Sequence, residues 1–313
     1  MLLYHWRGQE RNFGDELNTL IWPRLLPGFF DQDPTELFLG IGSVLDARHP
    51  PDALKIVAGA GYGGYQPRAS LDQRWVIHWV RGPRTARALG LDAATGLGDP
   101  AMLLPCAGWA TAGGGETVGF MPHFESLGRG AWQQVAHIAG VRLIDPRDEP
   151  PAVIAAIRQC RVLLTEALHG AIVADTLRVP WVALEPLLPV HRAKWHDWAD
   201  TLGLRIAFHS LHCSSLLERL HATRLGHTGR GRALIAAAGP GLRRLGRRHF
   251  ADRAAIALRD AAAATPQLSP TAALVACQAR MQERLEALRR NPRLQHHKPL
   301  LRRADSAYHT PAG

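Results

Sequence analysis

Residues 162–184 constrain the fold of this chain more than any other stretch. They read as an apolar strand (Val162–Leu164), a short turn, a helix with His169 in its first turn, and a second strand ending by residue 184. Strands that alternate with helices pack as a parallel sheet, because the helix is the crossover that returns the chain. His169 then stands at the mouth of that sheet. Unpaired N–H donors and partial positive charge at a helix N-terminus suit a phosphate or carboxylate. A histidine there can move a proton near neutral pH. Capping or packing of the helix is the competing role for the same ring.

The alternation recurs along the chain. Apolar runs at Leu37–Leu39, Leu54–Ala58 and Trp75–Val80 are separated by glycine-rich turns. Helices are expected at Glu16–Leu26 and Pro83–Leu89, where Pro83 suits a first turn. Ala107–Gly115 is a small, glycine-rich link that reads as a boundary. A second block brings a strand at Thr117–Met121, a helix at Ala131–Ala139, a strand at Arg142–Ile144, a helix at Pro151–Gln159 and the His169 unit. Two α/β domains follow, residues 1–110 and 115–225. Residues 226–290 form a basic helical extension, with helical periodicity at Arg230–Ala238, Leu242–Ala264 and Pro270–Arg290. Residues 291–313 are polar, and a disordered tail is expected.

Composition narrows the setting. Of 313 residues, 46% are hydrophobic and 20% charged, as in a folded chain with a substantial core. The net charge of +10 is uneven: residues 226–313 hold 16 Lys+Arg against 5 Asp+Glu, the remainder 21 against 22. A basic extension can contact anionic lipid or polymer, or simply present a solvated arginine face. Cys106, Cys160, Cys213 and Cys277 are widely spaced without a CxxC pair, so reduced thiols are expected. The N-terminus is too short and polar for a signal peptide, and no apolar run reaches the length of a membrane span. A cytoplasmic protein is the expectation. The 16 histidines show no spaced ligand set, and no zinc-finger or RNA-binding motif appears. Neither a metal nor a nucleic-acid partner is expected. Gly59–Gly64 fits G-x-G-x-x-G after a strand, but Gln66-Pro67 follows instead of a helix, which argues against a dinucleotide site.

Polar or glycine-rich turns close several strand-like runs: Asn12–Asn18 (NFGDELN), Gly40–Leu45 (GIGSVL), Val80–Thr85 (VRGPRT), Gly98–Pro105 (GDPAMLLP), Met121–Phe124 (MPHF) and Leu168–Gly170 (LHG). Ligands of open parallel sheets bind outside such strand ends. In this order and spacing the chain resembles the bacterial polysaccharide pyruvyltransferases, especially those that place ketal-linked pyruvate on exopolysaccharides such as succinoglycan and xanthan. The resemblance runs from residue 12 to about residue 184. It implies two doubly wound, Rossmann-like domains facing a cleft, as in glycosyltransferase-B folds. The implied donor is phosphoenolpyruvate, a substrate, with no cofactor. The implied acceptor is a saccharide or lipid-linked oligosaccharide at the inner face of the cell membrane, where the basic extension gives peripheral attachment.

Such chemistry needs cations for a donor carrying phosphate and carboxylate, a proton donor near neutral pKa, and loops that seat the anion. By resemblance His169 is the general acid, with Gly170 beside it, and Arg81 holds the donor's anionic groups. Asp15 matches the Gly-Asp of the family; it orients an acceptor hydroxyl, holds a catalytic cation in place, or caps the helix that follows. Asn12 and Gly14 frame it, and Gly42 and Ser43 belong to the next loop. His123 is a second acid–base group, an acceptor ligand or a structural histidine, and Asp99 reads as a strand terminator. Trp195 and Trp198 read as packing, with sugar stacking as the alternative. Many relatives carry an arginine two residues before the histidine, where this chain has Ala167. Arg84, Arg192 or Lys194 must substitute, and the sequence leaves the three equal. The competing activity is a two-domain glycosyltransferase using a nucleotide sugar.

Overall fold

The computed structural model describes residues 1–111, 114–223 and 244–290, together with positions 235, 239, 241 and 242. The chain opens with strand β1 (Leu2–Tyr4) and helix α1 (Phe13–Leu25), then β2 (Glu36–Leu39), β3 (Leu54–Ala58), β4 (Trp75–Trp79) and α2 (Pro83–Ala88). A 3-10 helix at Pro100–Ala107 precedes the second block: β5 (Thr117–Met121), α3 (Phe124–Arg129), α4 (Trp132–Ala139), β6 (Arg142–Leu143), α5 (Pro150–Arg158), β7 (Cys160–Thr165), α6 (Leu168–Thr176) and β8 (Trp181–Leu184). Then come α7 (Arg192–Thr201), β9 (Phe208–His209), α8 (Leu216–Ala222), α9 (Arg247–Ala263) and α10 (Thr271–Arg289).

Both sheets are parallel throughout. The second runs β6-β5-β7-β8-β9, with its order reversing between β5 and β7. That is a doubly wound sheet, and its ligand crevice lies beyond the carboxyl ends of those two strands. His123 follows β5 and His169 follows β7, so the switch point brings them to one place. The first sheet corrects the expectation. Its order is β1-β2-β3-β4 with no reversal, so the doubly wound description applies to the second sheet alone.

Buried strands alternate between two apolar layers. On β7, Leu163 joins the cluster that contains α1, α6 and the 3-10 helix, while Val162 and Leu164 join the one packed on α9. The former cluster is continuous from Trp22 on α1 and Phe38 on the first sheet to Leu163 and Trp181 on the second. Helix α6 is buried nearly all round, from Gly170 to Thr176, which fits its largely apolar sequence, and its buried Asp175 accepts from Trp181 Nε1 and the Ser269 N–H. α9 covers the second sheet through Ala251, Ala254 and Leu258. α10 returns to the first block and packs on β4 and the 3-10 helix, where Gln278 donates to the Met102 carbonyl at 2.7 Å. The Leu242–Ala264 and Pro270–Arg290 expectations correspond to α9 and α10. Most of Arg230–Ala238 and all of residues 291–313 lie outside the described residues. Among the described residues no helix is long and apolar enough to cross a membrane.

Candidate active site

A cavity of about 510 Å³ opens at the strand ends and is lined from both blocks. Of the residues singled out in the sequence, Asn12, Asp15, Gly42, Ser43, His123, His169 and Lys194 line it.

One wall belongs to His169. It is the second residue of α6, whose first turn is set by Thr165: the Ala167 N–H donates to Thr165 Oγ at 3.0 Å. A Cβ on Gly170 would lie 2.5 Å from Thr165 Oγ and 2.8 Å from Met121 Sδ, so the helix can approach the strand ends only with glycine there. Gly14 does the same for the ring itself, since a Cβ on it would fall 1.9 Å from His169 Nδ1. On the other side of the ring, Nε2 lies 3.3 Å from Asp99 Oδ2. Asp99 is fully buried, and its second oxygen accepts from the Ala101 N–H at 3.0 Å. Neither of these two atoms makes a hydrogen bond, so the contact is one of proximity between a buried carboxylate and the edge of the imidazole. The expectation that Asp99 merely ends a strand is therefore corrected: it stands behind His169.

Asp15 is not a helix cap. α1 begins at Phe13, three residues earlier than the expected start at Glu16, which moves Asp15 into the buried first turn. Asn12 is the N-cap, yet its side chain leaves the helix amides and donates to Asp15 Oδ2 at 2.5 Å. Burial pushes the Asp15 carboxyl up to about 6, opposed by His169, the Asn12 hydrogen bond and Lys194. Gly42, at φ +125°, would bring a Cβ to 3.0 Å from Asp15 Oδ1. Asn18, the last residue of the NFGDELN turn, fixes this loop to α1: its amide donates to the Ile41 carbonyl and accepts from the Ile41 N–H, both at 2.8 Å.

The other wall contains His123, Glu125 and His191. The two imidazoles stack at 4.2 Å between centroids. His191 Nε2 is 3.1 Å from Glu125 Oε2, and His191 Nδ1 is 2.8 Å from the Tyr65 hydroxyl. Burial holds both imidazoles below the ordinary histidine value, and His123 falls furthest, aided by the charges of His191, Lys194 and Arg129. Burial alone would raise Glu125, but the His191 hydrogen bond and the Arg129 charge outweigh it and hold it low. Buried Glu166 ties the loops together by accepting from the His123 N–H, the Ser126 hydroxyl and the Leu187 N–H. Glu125, Glu166 and His191 were not singled out in the sequence. The H-x-E spacing of His123 and Glu125 was a visible signal, whereas His191 is joined to them only by the fold.

Cation placement differs most from expectation. Arg81 is 1% exposed and lies behind the cavity. Its guanidinium donates to Asp197 Oδ2 at 3.0 Å, Ser43 Oγ at 2.9 Å and the Tyr62 carbonyl at 3.2 Å. A Cβ on Gly61 would meet it at 2.3 Å, so the glycine run that imitates a dinucleotide loop makes room for this arginine. Arg81 positions Ser43 and α7 and has no open face toward a donor. Arg84 pairs with Asp200 at 2.8 Å, and Arg192 with Glu185 at 2.7 Å, both outside the cavity. Lys194, from the first turn of α7, lines the cavity and acts electrostatically on Asp15, His123, Glu125 and His191. Arg48, also lining, is held by a bidentate pair with Asp46, both contacts at 2.6 Å. Trp195 and Trp198 are fully buried, which assigns them to packing.

Proton-handling side chains gathered at the carboxyl ends of parallel strands mark the active site of an α/β enzyme. Residues 55–186 match the polysaccharide pyruvyl transferase family. A relative, the succinoglycan biosynthesis protein ExoV of Rhizobium meliloti (strain 1021), is 34% identical over 92% of this chain and 98% of its own length. The chain therefore belongs to the polysaccharide pyruvyl transferase family and is a transferase. No solved structure matches it.

Proposed function

We propose that this chain transfers the pyruvyl group of phosphoenolpyruvate to a sugar as a cyclic ketal, in exopolysaccharide synthesis. The acceptor is a sugar of a polysaccharide or lipid-linked oligosaccharide. Residues 1–110 and 115–225 act as the two halves of a glycosyltransferase-B-like pair, with the donor between them. The observation that carries this reading is His169, backed by buried Asp99, on one cavity wall with Asp15 and Lys194. His169 protonates the methylene carbon of the donor, which leaves an oxocarbenium-like centre. A first sugar hydroxyl adds to that centre and gives up its proton. Phosphate departs with its bonding electrons, and a second hydroxyl closes the ketal and loses the second proton. Asp15, with its pKa near 6, accepts one of these protons, and Lys194 pairs with the donor's phosphate or carboxylate. The enzyme works at the cytoplasmic membrane face, where arginines of residues 226–290 meet anionic lipid.

Ligand-induced thermal stabilisation tests the donor, because a ligand that binds only the folded state raises its stability. Phosphoenolpyruvate is expected to raise the melting temperature, UDP and GDP to leave it unchanged, and Lys194→Ala to abolish the shift. A shift with a nucleotide and none with phosphoenolpyruvate would replace this reading by a nucleotide-sugar glycosyltransferase. For the membrane contact, the full chain should sediment with phosphatidylglycerol vesicles and stay in solution with phosphatidylcholine. Equal behaviour with both lipids would remove it.

A further inference from the structure

We propose that His123, Glu125 and His191 form a binding site for one divalent transition-metal ion, Zn²⁺ in the first instance, on the cavity wall opposite in character to His169. Two imidazoles and one carboxylate are a donor set that takes Zn²⁺, Fe²⁺ or Co²⁺ and leaves coordination positions open. Glu125 Oε2 lies 3.1 Å from His191 Nε2 and 3.7 Å from His123 Nδ1, and the three donor atoms all fall within 4.8 Å of one another. Ligand atoms about 2.0–2.2 Å from one ion sit about 3–3.5 Å apart, so closing the set requires movement of about an ångström. The stacked rings, 26° between planes, point the two nitrogens toward the same carboxylate oxygen.

Three further features suit a metal. Tyr65 lies 2.8 Å from His191 Nδ1, and a hydroxyl accepting that N–H leaves Nε2 unprotonated as a ligand. Arg129 faces the other oxygen of Glu125, Oε1, at 3.6 Å, and leaves Oε2 available. All three donors line the cavity, so the open positions face whatever occupies it. The role of the ion rests on the donor reading above. Of the cavity cations, Arg48 is neutralised by Asp46, and Lys194 stands near the carboxylates of Asp15 and Glu125. A trivalent anionic donor needs more positive charge than this, and a divalent ion on the second wall supplies it while polarising a bound oxygen.

The test is Zn²⁺ titration of the chelator-stripped full chain by calorimetry, with Co²⁺ visible absorption as a coordination probe and without donor or acceptor present. One equivalent is expected to bind. Glu125→Gln and His191→Gln should each weaken it about 100-fold or more, and Tyr65→Phe about 10-fold. Metal-free melting curves establish that each variant is folded, and Tyr65→Phe decides the matter where a ligand variant is not. Failure to bind Zn²⁺, binding unchanged in these variants, or binding lost instead on replacing His296 and His297 would overturn the proposal. Because no donor is present, loss of the metal site and loss of the phosphoenolpyruvate response are separate results.

Discussion

The two walls of the cavity are built by different means. The His169 wall rests on apolar helices: α1, α6 and the 3-10 helix share one continuous core, and glycines at 14 and 170 let them close to contact. The His123 wall rests on the segments after β5 and β8, with Glu125 on α3 and His191 in a single 3-10 turn, held by the polar contacts of Glu166, Glu125 and Tyr65. Helix packing fixes a ring against a buried carboxylate, which suits directed proton transfer. A polar loop cluster presents several lone pairs to one point, which suits a ligand or an ion. One wall is thus placed by apolar packing, the other by polar contacts between segments.

The largest effect belongs to His169. His169→Gln should lower pyruvyl transfer by about 10²–10⁴-fold while the melting curve holds. A residual rate within a few-fold of wild type, with collapse in His123→Gln, would move the proton donor to the other wall.

Arg81→Ala comes next in size. It leaves Asp197 buried without its ion-pair partner, and urea unfolding should show a loss of about 3 kcal/mol. The Thr85 hydroxyl and the Arg84 and Thr85 amides still donate to that carboxylate, which places the loss at the low end for buried pairs. An unchanged midpoint with lost donor binding would return Arg81 to the ligand.

Asp15 links the first wall to pH. Its carboxyl titrates near 3.8 unfolded and about 6 folded, so the folded state holds the extra proton between those values. Stability attributable to this group is highest below the lower value, falls as pH rises from 4 to 6, and stays reduced above that. Asp15→Asn should flatten that window and gain about 1–3 kcal/mol at pH 7, with a loss of activity. A variant with the same slope as wild type would place the titration elsewhere. The smallest effect is that of Arg84→Ala, which removes a half-exposed pair with Asp200. A loss of about 0.5 kcal/mol and unchanged kinetics are expected.

Much of the first wall was legible because its parts are local. Gly14-Asp15 and His169-Gly170 are signals within single turns, and each begins a helix. The parallel sheets were legible too, since apolar runs separated by helices have few ways to pack. Boundaries carried less information: a shift of α1 by a few residues changed Asp15 from a cap into a buried acid. Asp99 and His169 are separated by the whole of β5 to β7, and nothing local ties an aspartate before Pro100 to that ring. The three candidate cations looked alike for the same reason. Arg84 and Arg192 acquire partners at Asp200 and Glu185, and only the fold brings Lys194 to the cavity.

The parallel α/β class was readable along the chain, as were the turns whose residues His169, Asp15, Asn12, Gly42, Ser43 and His123 line one cavity. Hydrophobic periodicity and glycine placement act over a few residues, so they can be read along a chain. Tertiary structure decided the strand orders, the Asp99 partner, the burial of Arg81, the choice of Lys194 and the meeting of His123 with Glu125 and His191. Those depend on which groups lose water and which neighbour they find when they do, and desolvation is a property of the packed molecule.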